Sequence, residues 1–239
     1  MVLINPNTST ATTRLMTAIA RRSLSDAGLP VRGVTAPHGP PMLTTPSALH
    51  AAVPHVLAAA HEALAPGDCA ALIVGAFGDP GVAELRARSP RGAEAGASDP
   101  VGGHGRAGVP VVGIGEAALA EAAAGGRRFG IATTTPRLAG SIAAQVARLG
   151  LADRFTGTRF TPGSPEHLAS RPDSLLTALE AAVRACAVRD GAEAVVIGGG
   201  PLGDAATALQ ARLALPVIAP VPAACRRVLR LLAEPGAPG

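Results

Sequence analysis

Four short segments place amide, hydroxyl and glycine groups just where an apolar run gives way to a helix-like pattern. They are Asn5-Pro6-Asn7-Thr8-Ser9, Gly75-Ala76-Phe77-Gly78-Asp79-Pro80-Gly81, Thr133-Thr134-Thr135-Pro136 and Gly198-Gly199-Gly200-Pro201. A helix start leaves backbone N–H groups free, and nearby hydroxyls add donors, so such an end can hold a carboxylate or imide oxygen. Asn7, Thr8 and Ser9 form one donor cluster; Thr133 and Thr134 form a second. Capping of the following helix is the competing role for both clusters. Ala76, Phe77 and Gly78 in one turn, and Gly199 and Gly200 in the other, would bring backbone close to a small ligand. Preorganised donors of this kind can stabilise an enolate-like oxyanion.

A proton transfer also needs a base. Glu116 follows Val111-Val112-Gly113-Ile114-Gly115 at a strand-to-helix junction, where a carboxylate either caps the helix or faces a ligand. His38 lies in the turn Ala36-Pro37-His38-Gly39-Pro40-Pro41. Glu116, His38 or a bound water are the candidates. Asp79 precedes Pro80, a setting that suits turn and cap bonding more than chemistry.

Several function classes are disfavoured. All 21 basic side chains are Arg, so a lysine Schiff base and a P-loop NTPase are both excluded. The glycine turns lack the Gly-x-Gly-x-x-Gly order of a dinucleotide site. The pI is about 10.1, yet the net charge is only +4, and there is no Trp or Tyr to stack bases, so no nucleic-acid partner is expected. Cys69, Cys186 and Cys225 have no metal-type spacing and read as small buried or half-buried apolar residues. His50, His55 and His61 share one helix candidate with no second ligand cluster. No metal is expected. No apolar stretch reaches the roughly 20 uncharged residues of a membrane span, and no basic leader precedes Val2. A cytoplasmic protein without a membrane partner is expected.

The elements that must position these groups alternate regularly. Strands are expected at 2–4, 31–35, 70–74, 109–112, 129–132, 154–158, 194–197 and 217–218. Helices are expected at 9–27, 46–64, 80–88, 116–124, 137–149, 173–189, 203–213 and 222–233, from apolar residues recurring at three- and four-residue steps. Strands alternating with helices imply parallel sheets covered on both faces. The order strand, helix, strand, helix, strand, glycine turn, helix occurs once before residue 113 and again after 128. The expected fold is therefore α/β, with two pseudo-symmetric lobes. Each lobe is a mainly parallel four-stranded sheet flanked by helices, with an active-site cleft between them. The expected first lobe is 1–113, completed by the C-terminal segment 219–239; the second is 114–218. Residues 89–107 are rich in Gly, Ser and Pro and are expected to form a flexible loop exposing His104.

With these segments in place, the chain resembles the aspartate/glutamate/hydantoin racemase superfamily, most closely its hydantoin racemase branch. The resemblance rests on Ile4-Asn5-Pro6-Asn7-Thr8-Ser9, Phe77-Gly78-Asp79-Pro80-Gly81, Val111 to Ala118 and the turn at Gly198. It implies two α/β lobes with the site between them, no cofactor, and frequent association into homo-oligomers. It also implies proton removal and return at a carbon beside a carbonyl, by one cysteine on each face of the substrate. At the two matching positions this chain has Ala76 and Gly199. The function expected is that of a cofactor-independent racemase or isomerase acting on a small amino-acid derivative, hydantoin or related carboxylate or imide. The alternative is a catalytically altered, lyase-like or purely ligand-binding homologue.

Overall fold

The computed structural model describes residues 1–87, 103–104 and 108–234. Its first half runs β1 (Val2–Asn5), α1 (Thr10–Ser23), β2 (Arg32–Thr35), α2 (Pro46–Leu64), β3 (Leu72–Val74), α3 (Val82–Ala87), β4 (Gly103–His104) and β5 (Pro110–Gly113). The second half runs α4 (Ile114–Ala123), β6 (Phe129–Thr133), α5 (Ala139–Arg148), β7 (Phe155–Phe160), α6 (Pro165–Ala169), α7 (Pro172–Val188), β8 (Ala194–Ile197), α8 (Gly203–Gln210), β9 (Val217–Ile218) and α9 (Pro220–Ala233).

Two sheets result, ordered β2-β1-β3-β5-β4 and β7-β6-β8-β9. Among the described residues all pairings are parallel except that of β4, which lies antiparallel to β5. Apart from that edge strand the two orders are the same, so β1, β2, β3 and β5 correspond to β6, β7, β8 and β9. Every residue of β1, β3, β5, β6 and β8 is buried, as expected for parallel strands covered on both faces.

The packing is layered. α2 covers the outer face of the first sheet, where Val56, Ala59, Ala60 and Ala63 meet Ile4, Leu72 and Val74. α7 covers the outer face of the second, where Leu179, Val183 and Cys186 meet Ala132, Val195 and Ile197. Between the sheets lies one shared core, in which Leu3, Ile73 and Val112 join Ile131 and Val196 through residues of α1, α4 and α9. α4 is central: it packs on β5, β8, β9 and α9. α9 returns from the second sheet to lie on α1, α4 and β5, burying Val221, Ala224, Cys225, Val228 and Leu231.

The eight expected strands are all present. The first sheet gains a fifth, two-residue strand at Gly103–His104, inside the segment expected as a loop. The rest of 89–107 and the side chain of His104 lie outside the described residues. The short helix α6 was not expected; Ser164 caps it by accepting from His167 N–H at 3.2 Å, and Pro165 opens it. Among the described residues no helix is long and apolar enough to cross a membrane.

Candidate functional site

In both sheets the first strand lies beside the third, and the connections leave in opposite directions. Ligands of open α/β sheets bind beyond the strand ends at such a switch point. The backbone there repeats closely. Gly75 N–H donates to Ile4 O at 2.8 Å, and Gly198 N–H donates to Ala132 O at 2.9 Å. This register makes Asn5 the counterpart of Thr133, Gly75 of Gly198, Ala76 of Gly199 and Phe77 of Gly200. Ala76 and Gly199 are both half-buried.

The first donor cluster is organised by a residue the sequence reading passed over. Asn5 is fully buried, and its Nδ2 donates to Asn7 Oδ1 (2.9 Å), Ser9 O (3.0 Å) and Thr13 Oγ1 (3.0 Å). Asn7 Oδ1 in turn accepts from Ser9 N–H at 2.9 Å. Ser9 caps α1 through Thr12 N–H at 3.2 Å, so its hydroxyl has a structural role. Thr8 N–H donates to Pro40 O at 3.2 Å and ties the Pro/Gly turn to this cluster. His38, in that turn, is exposed, with its ring centroid 6.0 Å from that of His55.

In the second half, the Thr133 hydroxyl donates to Gly198 O at 2.6 Å and lies 3.2 Å from the Thr135 hydroxyl. Thr133 thereby fixes the glycine turn to β6. Thr134 beside it is also buried. The two turns meet across the halves. A Cβ at Gly200 would lie 2.5 Å from Met16 Sδ and 3.2 Å from Gly75 O, and one at Gly75 would lie 2.9 Å from Met16 Cε. Glycine at both positions lets the turns close over Met16 of α1.

The expected bases are placed very differently. Glu116 is buried with both carboxylate oxygens engaged. Arg86 Nη1 donates to Oε2 at 3.0 Å, Arg86 Nη2 to Oε1, and Gly113 N–H to Oε1 at 3.0 Å. Burial pushes its pKa up, against the pull of Arg86. Asp79 caps α4 as well, but from 36 residues away, accepting from Gly115 N–H at 2.8 Å and Glu116 N–H at 2.7 Å. The cap role expected for Asp79 is therefore long-range rather than local. Burial first, then the Glu116 charge, push its pKa up to about 7.

All three cysteines are buried, and none lies on either turn. Cys69 precedes β3, Cys186 lies in α7 and Cys225 in α9. Burial pushes the Cys186 thiol up to about 11 and the Cys225 thiol up to about 12, which keeps both as inert thiols. Among the described residues no group of three His, Cys, Asp or Glu side chains comes together as a metal site.

Comparison with known families gives a match to Asp/Glu/Hydantoin racemase over residues 1–228. The chain belongs to the Asp/Glu/hydantoin racemase family. Comparison with curated protein sequences finds no relative. Among solved structures, the racemase-family fold here is similar to allantoin racemase from Klebsiella pneumoniae, with TM-score 0.80 and 24% identity over 100% of this chain and 94% of that one. It is similar to allantoin racemase from Pseudomonas fluorescens, with TM-score 0.80 and 21% identity over 100% and 97%. It is also similar to a maleate isomerase from Pseudomonas putida S16 solved with maleate, with TM-score 0.67 and 16% identity over 98% and 92%. At these identities the likeness shows the shared fold.

In this member of the family, then, Thr133, Gly199 and Gly200 sit on one set of strand ends and Asn7, Thr8, Ser9, Ala76, Phe77 and Gly78 on the other. Gly75 and Gly200 join the two sets. Glu116 lies in the polar cluster under the first turn, and His38 is exposed. Sequence reasoning missed Asn5, Met16 and Gln145. Asn5 carried a signal, since a buried amide at the end of an apolar strand must find several partners. Gln145 carried none, because its partner Asp79 is 66 residues away.

Proposed function

We propose that the protein is a cofactor-independent isomerase-family enzyme that binds a compact carboxylate, imide or hydantoin-type ring between two lobes. The first lobe would comprise residues 1–113 closed by 219–239, and the second 114–218. The observation that carries this reading is the paired register at the strand ends. It gives Ala76 and Gly199 equivalent backbone positions, with a polar cluster at the head of each half and the two turns in contact at Gly75 and Gly200. The names of the two allantoin racemases support a cyclic ureide as substrate class.

The chemistry is removal of a proton from a carbon beside a carbonyl. The C–H electron pair moves into the carbonyl to give an enolate, whose oxygen is held by N–H and hydroxyl donors. With Ala76 and Gly199 in the turns, no thiol supplies the base. Both Glu116 oxygens are engaged, so His38 is the fitting base, because the Thr8–Pro40 hydrogen bond holds its turn beside the first donor cluster. A single imidazole serves one face of the carbon. Proton exchange with solvent should therefore outpace inversion.

A second reading has its own support. All three thiols are buried away from the turns and Glu116 is locked in an ion pair, which favours a homologue that binds and does not convert. One experiment separates the two. The protein is incubated in D₂O with hydantoins, allantoin, amino-acid derivatives and cyclic dipeptides, and deuterium uptake is read by mass spectrometry. The enzyme reading expects uptake that is abolished in His38→Ala. Saturable binding with no uptake overturns it in favour of the binding reading.

A further inference from the structure

Asp79 is surrounded by features that capping alone does not require. Among the described residues it is the one non-glycine residue with positive φ, at 53°. Besides the two N–H groups of α4, its carboxylate accepts from Gln145 Nε2 of α5 at 2.6 Å. Two glycines make room for it. A Cβ at Gly113 would fall 2.2 Å from Asp79 Cγ, and one at Gly115 would fall 2.9 Å from Asp79 Oδ2 and 2.5 Å from Gln145 Nε2. Its own N–H closes the turn by donating to Ala76 O at 3.0 Å. The backbone carrying Ala76, Phe77 and Gly78 is thus held by one side chain to two helices of the other half.

We propose that Asp79 is a positioning residue that pins the 76–78 turn to α4 and α5, and that the pin changes strength with its proton. The link to ligand affinity rests on the proposed reading that a ligand sits between the two turns. The charged groups facing the pin are Glu116 from α4, Arg86 from α3 and, toward Glu116, Arg148 from α5; Gln145 is neutral. An ionised Asp79 takes three N–H donors but stands beside the Glu116 charge. A protonated Asp79 needs an acceptor for its O–H. Gln145 Oε1, buried and without a hydrogen-bond partner among the described residues, supplies one once the amide turns over. Burial and Glu116 push the Asp79 pKa from 3.8 up to about 7, so both states are populated near neutrality. The folded state binds the proton more tightly than the unfolded chain. The stabilisation is therefore complete below about pH 4 and is lost as pH rises through about 7.

The test follows amide exchange by mass spectrometry from pH 6 to pH 8 in the full chain, on wild type, Asp79→Asn and Gln145→Leu. Arg22→Ala, which breaks the exposed Arg22–Asp204 pair between α1 and α8, is the control. In Gln145→Leu, exchange at 75–81 should rise about tenfold, the scale of one or two lost hydrogen bonds, with little change elsewhere. In wild type, exchange at 75–81 should climb with pH beyond the base-catalysed increase common to all amides, and Asp79→Asn should lack that extra climb. The same extra climb in Asp79→Asn, or a uniform change in Gln145→Leu matched by Arg22→Ala, overturns the pin. Calorimetry with allantoin and a simple hydantoin reads the link to the site. Affinity should weaken several-fold in Gln145→Leu and stay unchanged in Arg22→Ala. If neither compound binds wild type, the ligand reading falls, while the exchange rates still decide the pin.

Discussion

The turn at 75–81 and the turn at 198–203 follow equivalent strands, yet they are held by opposite means. The first is anchored by long-range polar contacts: Asp79 reaches across to Gly115, Glu116 and Gln145, and Arg86 neutralises the Glu116 beneath it. The second is anchored by closeness. Thr133 holds it within its own half, and Gly200 lies so near Met16 and Gly75 that no side chain fits. A backbone repeat does not oblige a protein to repeat the devices that stabilise it. The polar anchor fails when a partner is removed, and the close-packed anchor fails when an atom is added.

Three substitutions press on this contrast. Arg86→Met should have the largest effect. It leaves Glu116 buried without its cation, and urea unfolding should show a loss of about 3–5 kcal/mol. The side chains are only 20% and 7% exposed, so solvent screens the pair weakly; a loss below about 1 kcal/mol would put the pair among ordinary surface bridges. Gly200→Ala comes next. Overpacking against Met16 and the Gly75 carbonyl should cost about 1–3 kcal/mol in the same measurement. An unchanged midpoint would mean that the two turns part easily. Thr133→Val should be the mildest, at about 1–2 kcal/mol for leaving the buried Gly198 carbonyl unpaired. A thermal melt of this variant should shift less than that of Gly200→Ala, and a larger shift would reverse the ranking.

The layered α/β fold was legible because its signals are local. Runs such as Ala194-Val195-Val196-Ile197 read as short strands buried on both faces, and the repeated order of elements announced the second half. Thr133 and Ser9 were legible as residues at strand-to-helix junctions for the same reason. The polar cluster was not. Glu116 was readable as a cap or as a base, and what decides between the two is Arg86, 30 residues upstream. Asp79 reads as a turn residue because Pro80 follows it; its partners lie 36, 37 and 66 residues away. Sequence spacing reveals contacts within one turn of helix or one pleat of strand, and it is silent on a side chain that crosses between sheets. The edge strand Gly103–His104 was hidden for a related reason, since two residues are too few to show alternation.

The last helix sets the order in which the molecule can be assembled. Because α9 lies on α1, α4 and β5, the inner side of the first-made sheet has no complete cover until that helix has left the ribosome. The early half must wait, partly uncovered, for the late one. A nascent piece cut short of residue 220 should therefore present that uncovered apolar face to chaperones.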